Sequence, residues 1–204
     1  MSAIIFDFDG TIADSFDLVL EIFYDITGMK RFSDTDITEF KKLPIRNAIK
    51  LVHIPSRQIP ILLIKGRVQM GKRLNEIKPF PGIDVVLEQL RDQGHRLFII
   101  SSNSSNNVTT FLTEHHLVHN FEAVYGGIGL VGKAGALKRV IRHKKLEQEQ
   151  TYYVGDESRD IMAAKNAHIH SIAVSWGYND VSVLISEHPD VIAYEPSDLL
   201  SLPR

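Results

Sequence analysis

Residues 3–15, AIIFDFDGTIADS, carry the pattern that decides the fold. The near-continuous apolar character of residues 3–8 is typical of a strand that is buried on both faces of a parallel sheet. Asp7 and Asp9 add nothing to a hydrophobic core, so their place at the end of this strand indicates a site. If strand geometry continues to Asp9, the two carboxylates lie on the same side of the strand. A turn at Asp9-Gly10, with Asp7 as a cap, explains the pair equally well when it is considered alone.

The composition describes an ordinary globular protein. The 204 residues are 44% hydrophobic and 24% charged, with a formal net charge of -2, which gives no strong attraction to nucleic acid or anionic membranes. The absence of cysteine excludes disulfides, thiolate catalysis and cysteine metal sites. No cationic leader precedes an apolar stretch, and no apolar run reaches the length of a membrane span. We therefore expect a cytoplasmic protein, either monomer or homodimer, that binds neither nucleic acid nor membrane.

The pattern of apolar residues changes at the segment KPFPG, residues 78–82. Residues 15–78 show helical spacing of apolar residues and no strand-like alternation, which predicts an all-helical insert. After residue 82, helices alternate with short apolar strands, which predicts parallel βαβ units. The predicted strands after the first are 96–100, 122–125, 151–154, 170–174 and a weak one near 191–194. The predicted fold is α/β, a Rossmann-like doubly wound parallel sheet formed by residues 1–14 and 79–204, with the insert after the first strand.

Polar residues follow several of the predicted strands. In an open parallel sheet, ligands bind beyond the carboxyl ends of the strands, so these residues are expected to meet at one edge. They are Asp7 and Asp9, the triplet Ser101, Ser102 and Asn103, the acids Asp156, Glu157 and Asp160, and Lys133 after the glycine-rich GGIGLVGK.

Each group has a chemical interpretation and a simpler structural one. Residues 101–103 offer hydroxyl, amide and helix-start N–H donors to an anion, or else they cap a helix. Lys133 could offset phosphate charge, or else it is a solvated helix residue. Its segment is not a P-loop, because Ala134 follows the lysine.

Asp156 and Asp160 are expected near one face of a helix start, where Asp7 would join them. Buried carboxylates repel one another unless a cation is present, and carboxylate oxygens are ligands that magnesium prefers. The simpler alternative for Asp160 is that it caps the helix and complements its dipole.

Taken in order, these motifs resemble the haloacid dehalogenase (HAD) superfamily. DFDGT at 7–11, IISSN at 99–103, Lys133 and GDESRD at 155–160 match its four motifs, and the resemblance spans roughly residues 3–178. The insert resembles the helical cap of that family. WGYND, after the fourth motif, resembles the phosphoglycolate phosphatase-like branch.

The resemblance implies a magnesium-dependent phosphatase that hydrolyses a small, phosphoglycolate-like phosphate monoester through an aspartyl-phosphate intermediate. It implies that Asp7 is the nucleophile and that Asp9 moves protons. The expected phosphate site comprises Thr11, which would also hold the loop, Ser101 or Ser102, Asn103 and Lys133. The expected Mg²⁺ ligands are Asp7, the Asp9 main-chain carbonyl and Asp156, with support from Glu157 and Asp160.

The insert is expected to select the substrate. Its candidates are Arg46 and Lys42, or the neighbouring Lys41, which could meet a second anionic group of the substrate. Alternatively, these residues form a solvated basic helix face. A sugar-phosphate phosphatase or phosphomutase, and a non-catalytic binding protein, are the alternative functions. The resemblance also places His168 at a helix end where relatives usually have glycine.

Overall fold

The computed structural model describes residues 1–129 and 132–201, with the side chain of Arg46 outside the description. The strands are β1 (Ala3–Phe6), β2 (Ala13–Asp14), β3 (Lys78–Pro79), β4 (Arg96–Ile100), β5 (Ala123–Tyr125), β6 (Thr151–Gly155), β7 (His170–Val174) and β8 (Val191–Ala193). The helices are α1 (Phe16–Thr27), α2 (Asp34–Lys41), α3 (Ile45–Leu51), α4 (Ile59–Lys72), α5 (Ile83–Asp92), α6 (Ser105–Glu114), α7 (Lys133–Lys144), α8 (Ser158–Ala167) and α9 (Val181–Ser186).

The described residues form a parallel sheet of six strands in the order β5-β4-β1-β6-β7-β8. β1 lies between β4 and β6, so the strand order reverses there and a crevice is expected beyond its carboxyl end. Apolar residues of α5 and α6 pack on one face of the sheet, and those of α7 and α8 pack on the other. The predicted doubly wound α/β fold is confirmed.

Helices α1 to α4 occupy the chain between β2 and β3, as the periodicity of the insert predicted. β2 and β3 pair antiparallel, Ala13 with Pro79 and Asp14 with Lys78, so the chain enters and leaves the insert side by side. This ribbon was not predicted, because two residues are too few to show alternation. The last part of the insert is not one continuous helix, because 3-10 turns precede and follow α4.

The loop after β1 coils immediately. β1 ends at Phe6 instead of continuing to Phe8, and the Phe8 carbonyl accepts hydrogen bonds from the N–H groups of three residues, 11, 12 and 13. Gly10 has φ 78°, a left-handed conformation that favours glycine. Strand geometry therefore does not continue to Asp9, and the condition under which Asp7 and Asp9 would share one side of the strand is not met.

None of the helices within residues 1–129 and 132–201 combines the length and apolarity needed to cross a bilayer.

His168 ends α8 in the left-handed conformation, with φ 57° and ψ 45°, as its place in the sequence suggested. The side chain is exposed, so its removal costs little packing. A residue with a Cβ is destabilised by roughly 1–2 kcal/mol in this conformation, and glycine avoids that strain. The greater conformational freedom of glycine in the unfolded chain cancels part of the stability gained by relieving the strain. We expect His168→Gly to raise the free energy of unfolding by about 0.5–1 kcal/mol in urea titrations.

The matched control is His168→Ala, which removes the imidazole but keeps the Cβ. It should leave the free energy of unfolding unchanged or lower it. Equal stabilisation by both substitutions would show that the imidazole, and not the backbone conformation, carries the cost.

Candidate active site

Three buried carboxylates meet beyond the ends of β1 and β6. Asp7 follows β1, Asp156 follows β6, and Asp160 lies in the first turn of α8. One carboxylate oxygen of each lies within 4.8 Å of those of the other two. The topology brings these acids together because β1 and β6 are parallel neighbours in the sheet.

Lys133 supplies a positive charge to this cluster. It is the first residue of α7, only 3% of its side chain is exposed, and its ammonium donates to Asp7 and Asp160. Burial lowers the pKa of Lys133, but Asp160 and Asp7 outweigh burial and hold the pKa above its ordinary value. The ammonium therefore stays charged, and the alternative of a solvated lysine is wrong.

Asp160 has both of the roles that were predicted as alternatives, since it belongs to the acid cluster and it also caps α8. One carboxylate oxygen accepts from the Lys133 ammonium, and the other accepts from the Glu157 N–H at 3.1 Å, within a capping box that begins α8. Asp160 thus fixes the start of the helix and positions the lysine at the same time.

The raised pKa values of the acids indicate that the cluster has too little positive charge to keep all of them ionised. Burial raises the pKa of Asp7 to about 7, although Lys133 lowers it. The pKa of Asp156 is raised well above its ordinary value by burial and by the neighbouring Glu157 and Asp7. A cation beside these oxygens would favour their ionised forms, and an all-oxygen donor set suits a hard divalent ion. The residues present therefore fit Mg²⁺.

Asp156 is enclosed tightly. The Thr11 hydroxyl donates to Oδ1 at 3.0 Å, and the Tyr178 N–H donates to Oδ2 at 2.8 Å. A Cβ on Gly10 would lie 2.1 Å from Asp156 Oδ2, and one on Gly177 would lie 2.2 Å from the Asp156 Cβ. The Thr11 hydroxyl is thus engaged by this acid, which differs from its expected place in the phosphate site. Gly177 and Tyr178 belong to the WGYND segment, for which the sequence predicted no role.

Asp9 diverges from Asp7 and faces a different set of residues. Its carboxylate accepts from the Ser15 hydroxyl at 2.9 Å and from the Asn103 amide at 3.2 Å. Burial raises the pKa of Asp9, and these two hydrogen bonds offset part of the rise. A carboxyl group in this position can hold a proton at a higher pH than an exposed aspartate. Ser15 was missed, because a single serine at a helix start is typical of an N-cap.

Residues 101–103 are not used to cap α6. That helix is capped by Ser104, whose hydroxyl accepts from the Asn107 N–H at 3.1 Å. The Ser101 hydroxyl accepts from the Asn103 N–H at 2.9 Å and is buried, whereas the Ser102 hydroxyl accepts from Arg159 at 3.1 Å. The two serines thus have different surroundings, and both precede the helix.

Glu157 does not join the three acids. Its carboxylate accepts from the Arg159 guanidinium at 2.6 Å, and within the described residues the cluster that could hold a metal comprises Asp7, Asp156 and Asp160. The expected metal support from Glu157 is thus replaced by an ion pair. Arg159 was missed because the middle positions of GDESRD gave no separate signal.

Two basic candidates on the insert contact other residues of the insert. Lys42 is exposed and pairs with Glu39 at 2.9 Å, and the Lys41 ammonium lies 4.1 Å from the centre of the Phe16 ring. The expectation that Lys42 reaches the substrate is not supported, because its ammonium is held at the surface. Arg46 lies in α3, but its side chain is outside the described residues.

A cavity of about 280 Å³ lies between the insert and the sheet edge. On the sheet side it is lined by polar residues, namely Asp9, Ser102, Asn103, Glu157, Arg159 and Tyr178. On the insert side its walls come from α1, α3 and α4. Asp9, the loop after β4 and the insert therefore line one cavity.

Gly10 offers a test of the enclosure around Asp156. Gly10→Ala places a Cβ against Asp156 in a left-handed conformation, whereas Gly28→Ala meets the same kind of conformation, φ 69°, in open space. Overpacking costs about 1–3 kcal/mol beyond the backbone strain that both variants share. We expect urea unfolding to show Gly10→Ala less stable than Gly28→Ala by that amount. Equal losses in the two variants would contradict the enclosure.

Comparison with known proteins gives the family. The model of the haloacid dehalogenase-like hydrolases matches residues 4–174. A phosphoglycolate phosphatase of Synechococcus elongatus is 34% identical over 203 residues, covering 98% of this chain and 96% of that protein. A phosphoglycolate phosphatase of Aquifex aeolicus is 26% identical and covers 99% and 96% of the two chains.

Solved structures share the fold. A predicted phosphatase of Clostridium acetobutylicum superposes with a TM-score of 0.82 at 19% identity, covering 98% of this chain and 99% of that one. A haloacid dehalogenase-like hydrolase of Streptococcus pneumoniae gives a TM-score of 0.81 at 24% identity, covering 98% and 97% of the two chains. The family match over most of the sequence, together with the buried acids and lysine at the ends of the strands, shows that this chain belongs to the haloacid dehalogenase-like hydrolases and is a phosphatase of that family.

Proposed function

We propose that this protein is a Mg²⁺-dependent phosphatase that hydrolyses a small phosphate monoester through an aspartyl-phosphate on Asp7. The observation that carries the proposal is the buried cluster in which the Lys133 ammonium contacts Asp7 and Asp160. A negatively charged phosphoryl group needs such a preorganised positive site. 2-Phosphoglycolate is the first substrate to assay, because relatives are named for it.

In the first step, a carboxylate oxygen of Asp7 attacks phosphorus and the bond from phosphorus to the ester oxygen breaks. The departing oxygen keeps the electron pair and takes a proton from Asp9. The raised pKa of Asp9 supports this role, since its carboxyl group holds a proton at a higher pH than an exposed aspartate does and can deliver it. Lys133 offsets the charge of the phosphoryl oxygens, and donors of residues 101–103 orient them.

In the second step, a water oxygen attacks the phosphorus of the aspartyl-phosphate, and Asp9 takes the water proton. The bond between phosphorus and Asp7 breaks, which releases inorganic phosphate and restores the Asp7 carboxylate. Ser15 and Asn103 hold the Asp9 carboxylate in one position, so the same group can serve both steps.

Mg²⁺ would be held by the Asp7 and Asp156 carboxylates and the Asp9 main-chain carbonyl, with Asp160 in support through Lys133. When bound, the ion would supply positive charge beside the transferred phosphoryl group. The ring of contacts around Asp156 from Thr11 and Tyr178 fixes that carboxylate in advance.

We also propose that residues 15–78 act as a cap domain on a core formed by 1–14 and 79–204. The support is the position of the insert over the cavity that Asp9 lines and the adjacent entry and exit of the chain at β2 and β3. A cover of this kind excludes bulk water from the reacting group.

The nucleophile is tested by Asp7→Asn. We expect kcat/KM for p-nitrophenyl phosphate with Mg²⁺ to fall at least about 10³-fold, because the amide cannot form the aspartyl-phosphate. Asp84→Asn, on the exposed face of α5, is the matched control and should keep full activity. Circular dichroism confirms that both variants are folded. Turnover retained by Asp7→Asn would refute its role, and full turnover of the unaltered protein in chelator would refute the metal dependence.

Metal binding has a readout that does not depend on activity. At a Mg²⁺ concentration 100-fold above the dissociation constant, the free energy of unfolding should rise by about 2.7 kcal/mol. Asp156→Asn should lose most of this gain because it removes a carboxylate ligand, while Asp84→Asn should retain it. A gain of equal size in both variants would place the ion elsewhere.

A further inference from the structure

We infer that the substrate's leaving group is apolar and that the cavity between the insert and the sheet edge receives it. The inference rests on the proposed phosphatase function and adds the class of substrate to it. The favoured substrates would be phosphate monoesters of a short alkyl or aryl alcohol, in preference to small acid phosphates such as 2-phosphoglycolate.

The position of Asp9 sets the direction of the leaving group. The acid must reach the ester oxygen to protonate it, so that oxygen lies within hydrogen-bonding distance of the Asp9 carboxylate during the reaction. Asp9 lines the cavity, and Ser102 and Asn103 line it beside Asp9. With the phosphoryl group at Asp7, the substituent on the ester oxygen enters this cavity.

The cavity wall on the insert side is apolar. The side chains there come from three helices and the loop before α4, and they are aliphatic, aromatic or thioether groups. They are Val19, Ile22, Phe23, Ile26, Ile45, Ile49, Ile54, Ile59, Leu62, Leu63 and Met70. A carboxylate placed among them would lose its hydration without gaining a partner, whereas an alkyl or aryl group would be removed from water favourably.

The basic residues described at the cavity wall already donate hydrogen bonds to other groups of the protein. Arg67 of α4 donates from Nε to the Ser102 carbonyl at 2.7 Å and from Nη2 to the Ile128 carbonyl at 3.4 Å. Arg159 donates to Glu157 at 2.6 Å and to the Ser102 hydroxyl at 3.1 Å.

The Nε of Arg159 has no hydrogen-bond partner within residues 1–129 and 132–201. The Arg159 guanidinium is paired with the Glu157 carboxylate, which would repel a substrate carboxylate placed beside it. This wall therefore does not favour an acidic leaving group.

The volume limits the size of the group. An engineered cavity of roughly 150 Å³ lined by leucine, isoleucine and phenylalanine binds benzene, so about 280 Å³ is enough for a single ring or a short alkyl chain. Groups much larger than this would extend beyond the cavity into solvent.

The experiment measures kcat/KM with Mg²⁺ for n-alkyl phosphates from ethyl to hexyl and for 2-phosphoglycolate. The alkyl alcohols have similar acidity, so a trend along the series reports binding of the chain and not leaving-group chemistry. Each added methylene should raise kcat/KM by up to about fourfold while the cavity has room. We expect hexyl phosphate to exceed ethyl phosphate at least about 50-fold and 2-phosphoglycolate at least about tenfold.

Gly66 allows the cavity to be filled from inside. It lies on α4 and lines the cavity, and a Cβ there meets nothing within 4 Å. Gly66→Leu should therefore fold, and it should lower the hexyl-to-ethyl ratio of kcat/KM at least about tenfold. The matched control is Gly135→Leu on α7, which also has open space around its Cβ and is exposed. It should keep the ratio of the unaltered protein.

The outcomes separate the two proposals. Hydrolysis of 2-phosphoglycolate in preference to hexyl phosphate, or an unchanged ratio in a folded Gly66→Leu protein, would overturn the apolar leaving group and leave the phosphatase standing. Absence of turnover for every ester with Mg²⁺ would overturn the phosphatase itself, and the inference with it.

Discussion

The structure depends on one electrostatic constraint: three carboxylates are buried within 4.8 Å of one another beside one ammonium. Burial and mutual repulsion both favour protonation of such acids, and the raised pKa values of Asp7 and Asp156 record that cost. Lys133 offsets part of it from the start of α7. Burying these charges costs stability that hydrophobic packing does not return. The cost is reduced when a cation and an anionic substrate complete the charge balance of the cluster.

This constraint explains the local backbone. Asp156 is fixed between Gly10 and Gly177, where a Cβ would overlap it, so the loops after β1 and β7 can close on the acid only through glycine. Tyr178 then donates its N–H to Asp156. The next residue, Asn179, accepts from the Ser158 N–H and donates to the carbonyls of Lys41 and Leu43. One short segment thus connects the acid cluster, the start of α8 and the insert.

The sheet and most helices could be predicted from the sequence, because long apolar runs and helical spacing carry their own signal. The gathering of Asp7, Lys133, Asp156 and Asp160 followed from parallel topology, since carboxyl ends of neighbouring strands meet at one edge. The direction in which each side chain points could not be predicted from that topology. Gly10 coils the loop so that Asp7 turns to Lys133 and Asp9 turns to Asn103, a divergence that strand periodicity cannot express.

Contacts between distant parts of the chain could not be predicted from the sequence either. The pairing of Glu157 with Arg159, the ribbon of β2 and β3 and the engagement of Arg67 depend on tertiary placement and leave no local pattern. The basic residues that the sequence did suggest, Lys41 and Lys42, have positions compatible with a solvated helix face. Their spacing gave no information on whether they face the cavity or the solvent.

In the proposed function, the leaving group is selected by a different part of the protein from the part that recognises phosphate. Every phosphate monoester presents the same phosphoryl group, so the residues around Asp7 contain no information about the alcohol. We propose that this information lies on α1, α3 and α4, whose apolar side chains line the cavity. Arg67 couples the two parts, because its guanidinium on α4 binds the Ser102 carbonyl and its own carbonyl accepts from Asn107 on α6. This hydrogen bond joins the insert to the loop after β4, to which the proposed function assigns the binding of the phosphoryl oxygens.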